Sequence, residues 1–364
     1  MIEFEHVVKE YNGVSAVNDI SLELPAGKIC VFIGPSGCGK TTSLRLINRM
    51  IEPSSGTIRL DGTPVSKIRA EELRRGIGYV IQSVGLLPHM SVRENIGIVP
   101  RLLGWDKHKR DTRADELLEL IGLSPGAYRD KLPHELSGGE AQRVGVARAL
   151  AADPPVLLMD EPFGAVDPLG REVLQREFLS LNRELKKTVV FVTHDLDEAI
   201  RLGDRIVLMR NGKVVQDDIP ERILGAPHNE FVREFVGADR ALKRLSCFTV
   251  ESYMHKAVFL DRALLQNGRP PEDMQINGTG MLWIVDAGEV LVGMCRRSGG
   301  NWGDVREVRA EELGVSTVNS LRDALSRLLG RGMKAVPVLS DGNRLVGEVR
   351  LTDIEAVNQS DGYV

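Results

Sequence analysis

The chain has 364 residues, of which 42% are apolar, 27% charged and 5% aromatic, and its formal net charge is −4. Because a single core stops growing near about 250–300 residues, this length predicts two domains. The negative charge and the few aromatic residues argue against nucleic acid as a partner, so no nucleic-acid binding is expected.

Cysteine usage and hydropathy restrict the expected location. Cys30, Cys38, Cys247 and Cys295 are too far apart for a zinc knuckle and too few for a disulfide scaffold, and they fit a reducing cytosol. The N-terminal residues lack a basic segment followed by an apolar one, and no stretch approaches the roughly 18 apolar residues of a membrane span. We therefore expect that the chain serves a membrane, if at all, as a peripheral partner.

The first 33 residues have a β-rich pattern. Strand-like pieces (IEFEHVV, ISLEL and KICVFIG) alternate with turn signals at Asn12–Gly13 and Pro25–Gly27. This alternation predicts antiparallel strands that lead into the glycine-rich stretch GPSGCGKTT at residues 34–42.

The glycine-rich stretch matches a phosphate-binding pattern. Gly34, Gly39, Lys40 and Thr41 fit G-x-x-x-x-G-K-[ST] between an apolar strand and a predicted helix over residues 42–49. Glycines let backbone amides point at an anion, the lysine neutralises β/γ-phosphate oxygens and the hydroxyl ligates Mg²⁺. An ordinary strand-to-helix turn would explain one or two glycines but not four matched positions. The pattern therefore predicts a nucleoside triphosphate site.

Cys38 lies inside this stretch, two positions before Lys40. A thiol beside a lysine at a helix N-terminus is expected to gain thiolate character, so a maleimide should inactivate the protein and bound nucleotide should protect it. The alternative interpretation is a small residue at a variable position.

The middle of the chain combines helical and buried-strand patterns. Residues 86–150 show mostly helical periodicity, whereas VLLMD and TVVFVT are short apolar runs typical of a buried parallel sheet. With the glycine-rich stretch they predict an α/β core. A hairpin-like turn at Asn211–Gly212 follows.

A second, smaller domain is predicted at residues 241–364, after a first domain at residues 1–240. Within it, Leu282–Ser298 and Ala335–Ile354 each contain a strand, a polar turn and a second strand with Val-Gly near its start. Such self-similarity indicates internal duplication. The helical pattern LRDALSRLLGRG precedes the second copy, and no comparable pattern precedes the first.

Polar residues that could act on a bound triphosphate follow the predicted strands. Asp160 and Glu161 end the run VLLMDE, which suits one carboxylate that holds Mg²⁺ and one that polarises water. Gln82 follows GIGYVI, the motif LSGGE spans residues 136–140, GAVD lies beyond VLLMDE, and His194 follows TVVFVT. Each signal is weak alone, because such a glutamine is usually a surface residue and a lone histidine is usually structural.

Together and in this order, these motifs resemble those of the nucleotide-binding subunit of ABC transporters, over roughly residues 1–240. The resemblance implies a P-loop NTPase fold with an antiparallel β subdomain and a helical subdomain at about residues 86–150. It implies an ATPase that uses ATP and Mg²⁺. In this family Glu161 would be the general base, His194 would sense the γ-phosphate, and Gln82 would contact metal or water.

The resemblance also implies an ATP site shared by two copies of the chain. A helix N-terminus opened by Ser-Gly-Gly offers amides that its own distant phosphate loop cannot use, so two copies would face head to tail. Tyr11 would stack on adenine, whereas Glu140 is left out because glutamine is commoner there in the family. The implied nucleotide-binding residues are Tyr11, Gly34, Ser36, Gly37, Gly39, Lys40, Thr41, Thr42, Ser137, Gly138, Gly139 and Asp167. The implied metal-binding residues are Thr41, Gln82 and Asp160.

Longer stretches resemble the ATPases of bacterial osmoprotectant importers, which take up glycine betaine, choline, carnitine or proline. These are IQSVGLLPHMSVRENIGIVPRLLGW, YRDKLPHELSGG, ARALAADPPVLLMDEPFGAVDP and FVREFVGADRALKRLS. The resemblance implies a homodimer at the cytoplasmic face of the inner membrane, two transmembrane permease subunits and an extracytoplasmic substrate-binding protein.

Two alternatives stay open: an importer for another small solute, and a soluble ABC ATPase that does not act on a membrane. Against the second, Lys40 and Ser137 are 97 positions apart, which leaves no room for the long coiled coil of DNA-repair relatives.

The duplicated region resembles a pair of CBS domains, which are regulatory in this family. A nucleotide-binding CBS motif would place Ser or Thr three residues after Val-Gly and Asp three residues later. The chain has Arg350 and Asp353 at these positions in the second copy, and Arg296 and Gly299 in the first. The missing hydroxyls argue against adenine-nucleotide binding. Sensing of ionic strength or of a ligand, and dimerisation alone, both stay open.

Overall fold

The computed structural model describes residues 1–81, 85–164, 166–274 and 278–359. The chain divides into two compact units, Met1–Val236 and Gly237–Val364. Each unit has hydrophobic core clusters of its own.

Unit 1 combines strands and helices along its whole length. In chain order its strands are β1 (Ile2–Tyr11), β2 (Val14–Leu24), β3 (Ile29–Ile33), β4 (Ser55–Leu60), β5 (Thr63–Pro64), β6 (Ile77–Val80), β7 (Val156–Asp160), β8 (Thr188–Val192), β9 (Arg205–Arg210) and β10 (Lys213–Asp218). Its helices are α1 (Lys40–Ile47), α2 (Ala70–Arg75), α3 (Val92–Ile96), α4 (Ile98–Leu102), α5 (Lys107–Leu120), α6 (Pro125–Tyr128), α7 (Gly138–Leu150), α8 (Pro168–Leu185), α9 (Leu196–Leu202), α10 (Pro220–Gly225) and α11 (Glu230–Val236).

The strands of unit 1 form two sheets. An antiparallel sheet has the order β2-β1-β4-β5, and a mixed sheet has the order β10-β9-β3-β8-β7-β6. In the mixed sheet β3, β6, β7, β8 and β9 are parallel, and β10 pairs antiparallel with β9. The expectation that β3 continues the antiparallel strands is wrong, because β3 lies between β8 and β9 in the parallel part.

Every residue of β3, β7 and β8 is buried, as continuous apolar runs in a parallel sheet require. Phe32 and Asp160 both lie level with Val192 of β8. Since parallel strands place their carboxyl ends at one edge, the residues that follow these three strands share that edge. This arrangement brings the glycine-rich loop, Glu161 and the His194 turn to the same side of the sheet.

Two of the predicted turns are hairpins with left-handed backbone. Asn12 and Gly13 have φ of 50° and 80° between β1 and β2, and Asn211 and Gly212 have φ of 51° and 76° between β9 and β10. Positive φ at both central residues is the turn geometry that matches the twist of antiparallel strands, which explains the Asn-Gly sequences.

Helices α3 to α7 fill residues 92–150, between β6 and β7. The predicted α/β class, with an antiparallel β subdomain and a helical subdomain, is confirmed.

Unit 2 is a smaller α+β unit with a repeated topology. Its strands are β11 (Phe259–Asp261), β12 (Met281–Val285), β13 (Leu291–Ser298), β14 (Asn301–Trp302), β15 (Arg306–Glu307), β16 (Val315–Ser316), β17 (Ala335–Leu339) and β18 (Leu345–Arg350). Its helices are α12 (Arg240–Arg244), α13 (Ala310–Leu313), α14 (Leu321–Arg331) and α15 (Leu351–Gln359).

Each half of unit 2 has a short strand parallel to the first strand of an antiparallel hairpin: β11 with β12–β13, and β16 with β17–β18. This shared topology supports the predicted duplication. Helix α14 precedes the second hairpin, and its first turn is capped by Ser320 and Asp323.

No helix in the described ranges combines the length and the hydropathy that crossing a membrane requires.

Candidate nucleotide-binding and catalytic site

The glycine-rich loop connects β3 to the N-terminus of α1. Gly34, Gly37 and Gly39 have positive φ of 150°, 77° and 108°. The Lys40 ammonium, itself largely buried, donates to the carbonyl oxygens of Gly34 at 2.7 Å and Pro35 at 3.1 Å. The loop therefore surrounds a positive charge, and Ser36 is exposed on its outside.

Gly39 and Gly37 lie in different surroundings. A Cβ on Gly39 would lie 2.4 Å from the carbonyl oxygen of Ala16 in β2, whereas a Cβ on Gly37 would have no neighbour within 4 Å. Only a residue without a side chain allows β2 to approach the start of α1 so closely.

Thr41 and Asp160 meet at the beginning of α1. The Thr41 hydroxyl donates to Asp160 Oδ1 at 3.0 Å, and Thr42 follows on the same helix. Burial raises the pKa of Asp160, the neighbouring Glu161 raises it further, and the hydrogen bond from Thr41 opposes the rise. A buried carboxylate beside a hydroxyl offers the oxygen ligands that Mg²⁺ prefers.

Glu161 and His194 face each other at the edge of the mixed sheet. Glu161 Oε1 lies 3.2 Å from His194 Nδ1, with the glutamate side chain 22% exposed and the histidine 69%. Glu161 has φ of 47°, an unusual backbone conformation for a glutamate, and its N–H donates to the Val192 carbonyl at 2.9 Å. This backbone directs the carboxylate toward the turn that follows β8.

The Ser-Gly-Gly motif opens α7, with Gly138 and Gly139 as its first two residues. The Glu140 N–H donates to Ser137 Oγ at 3.3 Å, and Glu140 Oε2 accepts from the Ser137 N–H at 2.7 Å. The Tyr128 hydroxyl donates to Glu140 Oε1 at 2.6 Å. Hydrogen bonds from Tyr128 and Ser137 lower the pKa of Glu140. Glu140 is thus part of a capping box that leaves the Gly138 and Gly139 amides at the helix N-terminus.

The remaining predicted site residues lie elsewhere. Tyr11 ends β1, is 46% exposed, and has the Lys9 ammonium 5.0 Å from its ring centre. Asp167 caps α8, because its Oδ1 accepts from the Gly170 N–H at 3.0 Å. Gln82 lies outside the described residues.

The structure therefore places most of the predicted site residues at one edge of the mixed sheet. The residues placed there are Gly34, Ser36, Gly37, Gly39, Lys40, Thr41, Thr42, Asp160, Glu161 and His194. Ser137, Gly138 and Gly139 belong to the helical subdomain instead.

The sequence did not indicate the residues that support the His194 turn. Thr193 is 2% exposed, and its Oγ1 accepts from the Asp195 N–H at 3.0 Å. Glu198 is also buried and contacts Gln175 of α8. The signal available in the sequence was Asp195-x-x-Glu198, which resembles a helix cap and gave no reason to expect a buried carboxylate.

The expectation of a thiolate at Cys38 is wrong. Cys38 is 3% exposed, and burial raises the pKa of its thiol although Lys40 lowers it. Burial also raises the pKa of Cys30, to about 12, and that of Cys295. Desolvation of the thiolate outweighs the nearby positive charge.

We expect a maleimide at pH 7 to label Cys247 much faster than Cys30, Cys38 or Cys295, because Cys247 alone among the four is partly exposed. ATPase activity should survive the labelling. Peptide mass spectrometry over time measures the modification, and a Cys247→Ser variant, which should label slowly, is the control. Rapid, nucleotide-protected loss of activity with Cys38 modified would contradict this prediction.

Comparison with known proteins agrees with this geometry. The family model described as ABC transporter matches residues 17–164. The chain is 47% identical to the glycine betaine/carnitine/choline transport ATP-binding protein OpuCA of Bacillus subtilis (strain 168), over 96% of this chain and 94% of the relative. It is 45% identical to the carnitine transport ATP-binding protein OpuCA of Listeria monocytogenes serotype 1/2a (strain 10403S), over 96% and 90%.

A solved structure is also similar: the dimeric, post-hydrolysis state of the ATP-binding cassette MJ0796 bound to ADP and Pi. It matches with a TM-score of 0.55 and 33% identity, over 60% of this chain and 99% of that chain. The motifs, the fold and the relatives agree, and the chain belongs to the ATP-binding subunits of ABC transporters, a family of ATPases.

Proposed function

We propose that this chain is the ATP-hydrolysing subunit of a bacterial importer for quaternary-amine osmoprotectants such as glycine betaine. The observation that carries the proposal is the 47% identity to OpuCA of Bacillus subtilis, because it extends over 96% of this chain and so includes most of unit 2.

The phosphates of ATP would bind the amides of the glycine-rich loop, with Lys40 supplying a positive charge to their β/γ-oxygens. Tyr11 would stack on adenine. Thr41 and Asp160 would hold Mg²⁺, with Gln82 as a further ligand. No group of three His, Cys, Asp or Glu suited to a metal occurs among the described residues. Mg²⁺ is usually bound by one or two carboxylates and completes its shell with substrate phosphates and water. The ion would neutralise charge on the phosphates.

For hydrolysis, Glu161 would accept a proton from the attacking water, and His194 would contact the γ-phosphate. The 3.2 Å distance between Glu161 Oε1 and His194 Nδ1 supports roles in the same reaction, because both side chains can then face one reacting group. Burial of Asp160 beside Glu161 keeps the two carboxyl groups in different environments, so they can have different roles.

Two copies of the chain would assemble head to tail around two ATP molecules. Ser137, Gly138 and Gly139 of one copy would contact the γ-phosphate held by the loop of the other, and Asp167 would lie at the same seam. The Gly138 and Gly139 amides at the N-terminus of α7 support this role. Closure would then depend on bound ATP, and hydrolysis would release it.

The transport partners would be two transmembrane permease subunits and an extracytoplasmic substrate-binding protein, with this chain peripheral at the cytoplasmic face of the inner membrane. A cavity of about 330 Å³ between α3, α4 and α5 supports a docking site for a cytoplasmic segment of the permease. Four cations and two carboxylates line it: Arg93, Arg101, Lys107, Arg110, Glu94 and Asp111. This balance favours an acidic segment.

Unit 2 would be a pair of CBS-like repeats with a regulatory or dimerising role. In the second repeat Asp353 Oδ2 accepts from the Arg350 N–H at 2.9 Å, and Asp353 Oδ1 lies 3.0 Å from His255 Nε2. A ribose hydroxyl would have to compete with both contacts, which favours a role without adenine nucleotide.

The test is solute uptake at high osmolarity in cells that lack their own osmoprotectant transporters and produce this chain with its permease and binding protein. We expect labelled glycine betaine to accumulate, with choline, carnitine and proline as competitors and a Glu161→Gln chain as the inactive control. Uptake of an unrelated solute alone would indicate another cargo. Recovery of the chain from the soluble fraction without a permease would contradict a role in transport.

A further inference from the structure

Glu198 is a buried carboxylate with no role in the mechanism described above. It is the third residue of α9 and is 7% exposed. Burial raises the pKa of Glu198, whereas hydrogen bonds from Thr193 and Gln175 lower it. Burying a carboxylate is costly, so its contacts must compensate for the lost hydration.

The first set of contacts holds the turn that carries His194. The Glu198 N–H donates to Asp195 Oδ1 at 3.1 Å, and the Glu198 carboxylate is hydrogen-bonded to the Thr193 side chain. Thr193 and Asp195 are in turn bonded to each other. Glu198 therefore contacts both neighbours of His194 in the chain, Thr193 through its carboxylate and Asp195 through its backbone N–H.

The second set of contacts connects this turn to α8. Gln175 Nε2 donates to Glu198 Oε1 at 2.9 Å, and Gln175 is only 3% exposed. Arg201 Nη1 donates to Gln175 Oε1 at 3.3 Å and so orients the amide. Arg171, in the first turns of α8, lies 3.9 Å from Asp195. Helix α8 is thus connected to the His194 turn directly through Arg171 and indirectly through Gln175 and Glu198.

Helix α8 is capped by Asp167, which the proposed function places at the seam between two copies. A shift of α8 would be transmitted through Gln175 to Glu198 and from there to the side chains of Thr193 and Asp195 on either side of His194.

We propose that Glu198 is a positioning residue for ATP hydrolysis. Together with Gln175 it holds the His194 turn at a fixed position relative to α8. The inference rests on the proposed role of His194. It adds that the orientation of this histidine is set by a buried polar pair between two helices.

The test measures kcat and KM for ATP with the purified full-length chain. Glu198→Leu and Gln175→Leu are each expected to lower kcat by about tenfold or more with KM changed by less than about twofold, because misplacement of a catalytic group affects the reacting geometry and not the phosphate loop. Glu198→Gln should recover most of the kcat, since its amide can accept from Gln175 and donate to Thr193. Glu184→Leu, at an exposed position of α8 nine residues after Gln175, is the matched control and should behave as wild type.

Measurements of thermal stability distinguish a loss of positioning from a loss of folding. In the double variant Glu198→Leu/Gln175→Leu two apolar side chains replace the buried polar pair, so its Tm should equal or exceed that of the wild type while kcat stays low. A wild-type kcat in the folded double variant would overturn the inference. It would also be overturned if Glu198→Gln were as slow as Glu198→Leu.

The variant His194→Ala distinguishes failure of this inference from failure of the proposed role of His194. If His194→Ala abolishes hydrolysis and the double variant does not slow it, only the positioning role fails. If His194→Ala hydrolyses ATP normally, the proposed role of His194 and the inference both fail.

Discussion

Replacement of Glu161 by Gln is expected to lower the rate of ATP hydrolysis by about 10²–10⁴-fold, because a positioned general base contributes an acceleration of this size. The amide keeps the shape of the side chain but cannot accept the proton of the attacking water. ATP should still bind, since Lys40 and the loop amides are unchanged. Phosphate release measures the rate, and light scattering with and without Mg-ATP measures assembly.

The variant should accumulate as an ATP-dependent dimer, because the proposed seam closes on ATP and opens after hydrolysis. Glu184→Gln, an exposed substitution on α8, is the matched control and should hydrolyse ATP at the wild-type rate. Undiminished hydrolysis by Glu161→Gln would remove Glu161 as the base. Failure of ATP to join two copies of this variant would remove the head-to-tail seam.

The second large effect is expected from Gly39→Ala, compared with Gly37→Ala. At both positions an alanine would have to adopt a left-handed backbone conformation, which costs about 1–2 kcal/mol. At Gly39 its Cβ would also meet the Ala16 carbonyl oxygen at 2.4 Å, so α1 and β2 must separate and carry Lys40 and Thr41 with them. We expect Gly39→Ala to weaken ATP binding by about 100-fold, or about 2.7 kcal/mol, and Gly37→Ala by about tenfold or less.

Titration with a fluorescent ATP analogue measures these affinities, and thermal unfolding of both variants shows whether unit 1 remains folded. Gly39→Ala should also lower Tm more than Gly37→Ala does. Equal affinities in two folded variants would show that the close approach of β2 to the loop does not shape the site.

Local patterns predicted the parts of this site that depend on neighbours in the chain. Gly34, Gly39, Lys40 and Thr41 are recognisable because strand, loop and helix follow one another directly. The sheet to which β3 belongs was not predictable in this way, since its partners β8 and β9 lie more than 150 positions downstream. Antiparallel neighbours on the N-terminal side suggested the wrong pairing.

Cys38 and Glu198 show a second limit of prediction from sequence: local patterns do not reveal whether a side chain is buried. The sequence places Lys40 beside Cys38 but does not show that the thiol is shielded from water, and this shielding raises its pKa. For Glu198 the spacing from Asp195 resembles a helix cap and does not reveal that the carboxylate is buried. The side chain instead bonds to Gln175, 23 positions earlier, because the packing of α8 against α9 decides its partner.

The capping box at the start of α7 has a consequence for how two copies would meet. Ser137, Glu140 and Tyr128 of one subunit already hold the amides of that helix end in place. Preorganised donors lose little conformational entropy on association, so more of the interaction energy remains for retaining the partner's nucleotide. The lifetime of the closed pair would then be governed by chemistry at the phosphate rather than by the ordering of a loop.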